Sequence, residues 1–266
     1  MKKARKKSKI QAASLVIPAA LVISIAIFQL VFGAGENFIG GNSENMPLNG
    51  NMMGTIYKGG FIVPILMTLL LTVITFSIER FVAIRRAKGK NQAVQLIADV
   101  KEKLNAHKVA EAIVLCDAHK GSLANVIKSG LLKYQEVEKD DTLSKEQKTV
   151  AIQKDVEEST SLELPSLEQN LVILATISSV ATLMGLLGTV LGMIRSFAAM
   201  SSAGAPDSTK LATGISEALI NTAFGIGTAA LAVIMYNFFT TSIDKITYSI
   251  DEAGYSIVQS FGATHK

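Results

Sequence analysis

The fold is decided by two runs, 171-LVILATISSVATLMGLLGTVLGMIRSFAAM-200 and 211-LATGISEALINTAFGIGTAALAVIMYN-237, joined by the short polar link 201–210. Each exceeds the roughly 20 apolar residues that carry a helix across a bilayer. Neither is uniformly apolar. Both contain hydroxyls, and the second holds Glu217 in its middle. An acid at that depth costs on the order of 2.5–3.5 kcal/mol on insertion scales, so it faces a bundle interior or a water-filled path and marks function.

At about 100° per residue, Thr213, Glu217, Asn221 and Thr228 fall on one face of the second run. Beside them lies a face of small residues: Gly214, Ala218, Thr222, Gly225 and Ala229. In the first run Ser178, Thr182, Thr189 and Ser196 share a face flanked by Gly185 and Gly192, and Gly188 with Gly192 makes a GxxxG pair. Small residues let helix backbones approach, and hydroxyls hydrogen-bond across the contact. The two helices are therefore expected to pack together along Gly185, Gly188, Gly192, Gly214 and Gly225 and to present a joint polar seam. For any single hydroxyl the plainer reading is a bond to its own helix. An ionised Glu217 has no such outlet.

Working outward, composition fits membrane spans plus one aqueous segment. The chain has 266 residues, 49% of them hydrophobic, with mean hydropathy +0.36. The net charge of +4 is carried in clusters at 2–9 and 80–90, each beside an apolar run. That is the positive-inside pattern of a membrane protein, and it speaks against a nucleic-acid surface. A single cysteine, Cys116, excludes an internal disulfide. His107, Cys116 and His119 lack a fourth ligand and zinc-site spacing, so no metal is expected, and no cofactor.

The segment 1–58 reads as a basic N-terminus, an uncleaved apolar anchor over 10–32, and a Gly- and Asn-rich loop outside the cytoplasm. A second span occupies 59–84 and ends in basic residues. The segment 85–169 reads as a cytoplasmic helical domain: apolar residues recur at helical spacing, and Ser144 with Gln147 fits a capping box. That last helix is expected to stop at Leu164, before Pro165. The two apolar runs with the polar seam and their link fill 170–240, and 241–266 reads as a C-terminal helix extending out of the fourth span into the cytoplasm. The fold class is all-α: a polytopic membrane protein with four transmembrane helices, the last two long, and both termini cytoplasmic. No Gly-rich phosphate loop and no Ser/His/Asp constellation is present, so an enzyme is not expected.

MGLLGTVLGMIRSF (184–197) and GISEALINTAFGIGTAALAVIMYN (214–237) resemble the two signature helices of the MotA/TolQ/ExbB proton channel family, nearest to its ExbB and TolQ branch. The resemblance is close over the last two spans and extends to the rest in layout only. It implies that Thr189 of the GTV motif, Glu217 of the GISEAL motif and Thr222 five residues later line the pore and proton path. Thr182 and Asn221 are secondary polar candidates. MotA-type stators lack a glutamate at the Glu217 position. Two departures stand out: the additional N-terminal span, and Asn221 where a small residue is usual.

The resemblance further implies a homopentamer in the bacterial inner membrane. Its pore would enclose the single span of an ExbD- or TolR-like partner that brings an aspartate, and it would drive a TonB-like transducer. The expected function is an ExbB-type motor subunit that uses the proton-motive force to energise TonB-dependent outer-membrane transport. The alternatives are a TolQ-type subunit of the Tol-Pal envelope system and, from a different class, a non-conducting membrane scaffold.

Overall fold

The computed structural model describes residues 2–89, 93–201 and 208–264, and its regular structure is helical. Among the described residues there is no β-strand; the one extended pairing is an isolated bridge between Phe38 and Pro47. The helices are α1 Lys2–Ile27, α2 Met52–Tyr57, α3 Ile62–Ala87, α4 Ala93–Asn105, α5 Val109–His119, α6 Ser122–Glu138, α7 Lys145–Glu168, α8 Leu171–Ser201 and α9 Ser208–Thr264. Four stretches are long and apolar enough to cross a membrane; they lie in α1 with the turn after it, in α3, in α8 and in α9. The polar link between α8 and α9 falls, at 202–207, outside the described residues, as does 90–92 at the start of the expected aqueous segment.

The chain divides into two units, Met1–Ile78 with Val172–Tyr236, and Glu79–Leu171 with Asn237–Lys266. In the first, α1 ends in a π turn, Phe28–Phe32, closed by Gly33 N–H on the Phe28 carbonyl at 2.9 Å. A helix end leaves carbonyls without partners. Asn37 supplies them: its Nδ2 donates to the carbonyls of Val31 (2.7 Å) and Phe32 (3.1 Å), and its Oδ1 accepts from Asn51 Nδ2 at 3.0 Å. Asn51 in turn caps α2 by accepting from Gly54 N–H at 3.0 Å. Tyr57 stacks on Phe28 and meets Phe38 edge-on. The Gly- and Asn-rich loop is thus folded onto the end of α1. Below it Phe28, Val63 and Met67 form a buried cluster against which Ile220 and Phe224 of α9 pack.

The second unit has a core of large apolar side chains. Leu104, Ala112, Leu123, Ile127, Leu131, Tyr134 and Ile152 are buried, together with Phe239, Ile243, Ile246, Ile250, Ile257 and Phe261 along the far part of α9. Tyr134 meets Phe261 edge-on with ring centroids 4.8 Å apart. The tail extends directly out of the fourth span: α9 runs unbroken for 57 residues, far beyond the roughly 20 a span requires. At the start of α7, Ser144 Oγ accepts from Gln147 N–H at 3.3 Å while Gln147 Oε1 accepts from Ser144 N–H at 2.8 Å, a complete capping box.

The stop expected at Leu164 is displaced, and α7 continues through Pro165 to Glu168. A proline this near the end forfeits one backbone bond, and other donors serve the carbonyls that follow. Arg80, 1% exposed, pairs with Glu79 and donates from Nη1 to the carbonyls of Leu167 (3.1 Å) and Ser166 (3.3 Å). Asn170, at φ +67°, then breaks the chain between α7 and α8.

Candidate functional site

The site lies on the facing sides of α8 and α9, and its geometry begins with the glycines. A Cβ on Gly185 would stand 3.1 Å from the Asn221 carbonyl oxygen and from Gly225 Cα. One on Gly192 would stand 2.8 Å from the Gly214 carbonyl oxygen, and one on Gly225 2.6 Å from that of Ala181. A Cβ on Gly188 would collide with the Asn221 side chain, and one on Gly214 with Ser196. The two backbones touch, and any side chain at these positions would part them.

That proximity brings hydroxyls of opposite helices together. Thr189 and Thr222, both half-buried, are hydrogen-bonded to each other through Oγ1. The Thr189 hydroxyl also lies 3.2 Å from the Gly185 carbonyl and 3.4 Å from that of Ala218; Thr222 Oγ1 is 3.5 Å from the Gly185 carbonyl. Each hydroxyl has one proton and can also accept. The pair therefore has more acceptors than protons, and the two hydroxyls can exchange donor and acceptor roles by rotation. Thr182 is half-buried and donates within its own helix, to the Ser178 carbonyl at 3.2 Å. Ser196, fully buried, lies 3.1 Å from the Gly192 carbonyl and 3.3 Å from that of Leu211.

One turn before Thr222, Glu217 is 6% exposed and forms an ion pair with Arg195 of α8. Arg195 was not singled out from the sequence. It is the only ionisable residue in α8, and a lone charge in an apolar run is the signal that marks it. The guanidinium also stands 5.8 Å from the centroid of the Phe61 ring. Asn221, 0% exposed, donates from Nδ2 to the Gly59 carbonyl at 3.0 Å, in the turn that precedes α3. Glu217, Asn221 and Thr228 thus all point into their own unit, while Leu186, Val190 and Ile194 of α8 and Leu219 and Ile226 of α9 are exposed.

No group of three His, Cys, Asp or Glu side chains converges among the described residues. Cys116 is buried in the second unit, and burial pushes its thiol up to about 12. His119 is buried with Nδ1 3.1 Å from the Lys120 carbonyl.

Residues 119–252, half of the chain, match the profile of the MotA/TolQ/ExbB proton channel family. The chain is 42% identical over 84 residues to the Tol-Pal system protein TolQ of Haemophilus influenzae, covering 32% of this chain and 37% of that protein. It is 41% identical over 86 residues to the ExbB-like 3 protein of Synechocystis (32% and 41%), and 37% identical over 86 residues to the biopolymer transport protein ExbB of Pseudomonas putida (32% and 26%). The matched stretch spans about two fifths or less of the length of these relatives.

Proposed function

The chain belongs to the MotA/TolQ/ExbB proton channel family, and from that premise we propose that it is the ExbB-type subunit of a motor in the bacterial inner membrane. It is a multi-pass membrane protein. In our reading its N- and C-termini are cytoplasmic, which the basic clusters at 2–9 and 80–90 favour. The observation that carries the proposal is the hydroxyl pair of Thr189 and Thr222, held between two helices by backbone contact at Gly185. Hydroxyls placed across a membrane seam supply hydrogen-bonding sites where lipid supplies none.

In the proposed assembly, five copies surround the single span of an ExbD-like partner. When its aspartate is protonated, that span moves past apolar wall at low cost; when ionised, the aspartate is drawn to the hydroxyls of Thr189 and Thr222. Alternation of those states under a proton gradient turns the partner and delivers work to a TonB-like transducer that opens outer-membrane transporters. Glu217 acts electrostatically rather than as a carrier. The TolQ reading shares these motifs and draws on the 42% identity to the Haemophilus influenzae protein; it assigns the same motor to envelope integrity through TolR- and TolA-like partners.

The test is purification of the full chain with the product of the neighbouring gene, followed by native mass spectrometry. Five copies around an aspartate-bearing single-span partner is the expected result, and the partner's identity separates the ExbB from the TolQ role. A chain that binds no such partner, and in which Glu217→Gln leaves envelope function and ion flux untouched, would be a scaffold instead.

A further inference from the structure

A ring of five buried carboxylates poses a difficulty that the reading above leaves standing: like charges in low dielectric cannot all remain ionised without compensation. The surroundings of Glu217 answer it. Its counter-charge comes from Arg195 within the same chain. Gly60 stands beside both, at φ +74°, where a Cβ would lie 2.7 Å from Glu217 Oε1 and 3.3 Å from Arg195 Nη1. Glycine takes that backbone conformation most readily, and a side chain there would press on the pair. One residue earlier, the Gly59 carbonyl accepts from Asn221, four residues after Glu217 and so on the same helix face. Glu217 and Asn221 therefore meet two adjacent residues of one turn.

We propose that Arg195 is the positioning residue for Glu217, and that this ion pair and the Asn221–Gly59 bond form a clasp fixing the turn before α3 to α9. The inference rests on the family reading for its consequence but not for its geometry. Each protomer carries its own counter-ion, so assembly of several copies does not accumulate unpaired negative charge. The carboxylate is aimed into its own protomer and presents a dipole to whatever occupies the channel. The Phe61 ring, its centroid 5.8 Å from the guanidinium carbon, adds a cation–π contact to the arginine.

The experiment uses the purified full chain and a hydrophobic carbodiimide, which modifies a carboxyl only in its protonated form, with labelling at Glu217 read by mass spectrometry at neutral pH. A buried carboxyl deprived of its counter-charge takes up a proton. Arg195→Gln is expected to speed labelling about ten-fold or more, the lower bound for loss of an adjacent opposite charge. Arg195→Lys should stay near wild type, and Gly60→Ala should speed labelling by displacing the pair. Labelling of Arg195→Gln at the wild-type rate overturns the clasp. If Arg195→Gln fails to accumulate, recovery in the double variant with Glu217→Gln supports the pairing, and no recovery overturns it. Labelling needs no transport, so its failure counts against the clasp alone, whereas a complex that moves no ions counts against the motor alone.

Discussion

The α8–α9 seam and the core built from α4 to α7 with the far part of α9 are both helix packings, yet they use opposite materials. In the seam, contact is made by Gly185, Gly188, Gly192, Gly214 and Gly225 with hydroxyls between them. In the second unit it is made by Ile127, Leu131, Tyr134, Ile152 and Phe261. The difference is the one expected between a lipid and an aqueous solvent. In water, burying a large apolar side chain stabilises by about 1.5–3 kcal/mol. In lipid that gain vanishes, because a leucine leaves one hydrocarbon for another; close backbone approach and interhelical hydrogen bonds remain. The same α9 shows both patterns along its length, with glycine and threonine early and buried isoleucines at 243, 246, 250 and 257 later.

That contrast can be broken most severely at the seam. Gly192→Leu puts a side chain where a Cβ alone would already stand 2.8 Å from the Gly214 carbonyl oxygen and 2.9 Å from the Ala218 nitrogen. It should cost more than about 4 kcal/mol and abolish a stable fold in detergent; unchanged thermal melting would mean that glycine is not what the seam requires. In the second unit the large residue matters instead. Leu131→Ala, at a fully buried site, should cost about 2–5 kcal/mol by leaving a cavity, read as a lowered unfolding midpoint. Ser144→Ala removes one half of the α7 capping box and should cost about 1 kcal/mol.

The smallest effect is expected on the surface of the second unit. Lys108 and Lys103 hydrogen-bond Glu111 and hold its carboxyl below its ordinary value of 4.5. A depressed carboxyl contributes stability above its unfolded value and loses it as pH falls through the folded one. Glu111→Gln should therefore flatten only the acid limb of the melting profile, below about pH 4.5, and change nothing at neutral pH beyond the small worth of exposed pairs.

Much of this was legible in residue order. Apolar length gave the four spans, small residues at helical spacing gave the faces of α8 and α9 that meet, and Ser144 with Gln147 gave the start of α7. These are local signals, each complete within one turn or one helix. What escaped was tertiary. Pro165 reads as a stop, and the distant Arg80 serves carbonyls beyond it. The loop at 33–58 reads as irregular because Asn37 caps a helix end several residues before it. Arg195 has no evident partner in residue order until α8 and α9 are taken as an antiparallel hairpin. Residues equidistant from the link then face each other, and the register that pairs Thr189 with Thr222 also pairs Arg195 with Glu217.

The most direct measurement on the central claim is gradient-driven proton flux through the complex with its partner in liposomes, comparing wild type with Thr189→Val and Thr222→Val. Valine keeps the branched shape and deletes the hydroxyl. The account predicts a loss of about a hundred-fold in each variant, the low end of what a positioned proton-transfer group contributes, with the assembly intact by native mass. Wild-type flux in both variants would contradict it.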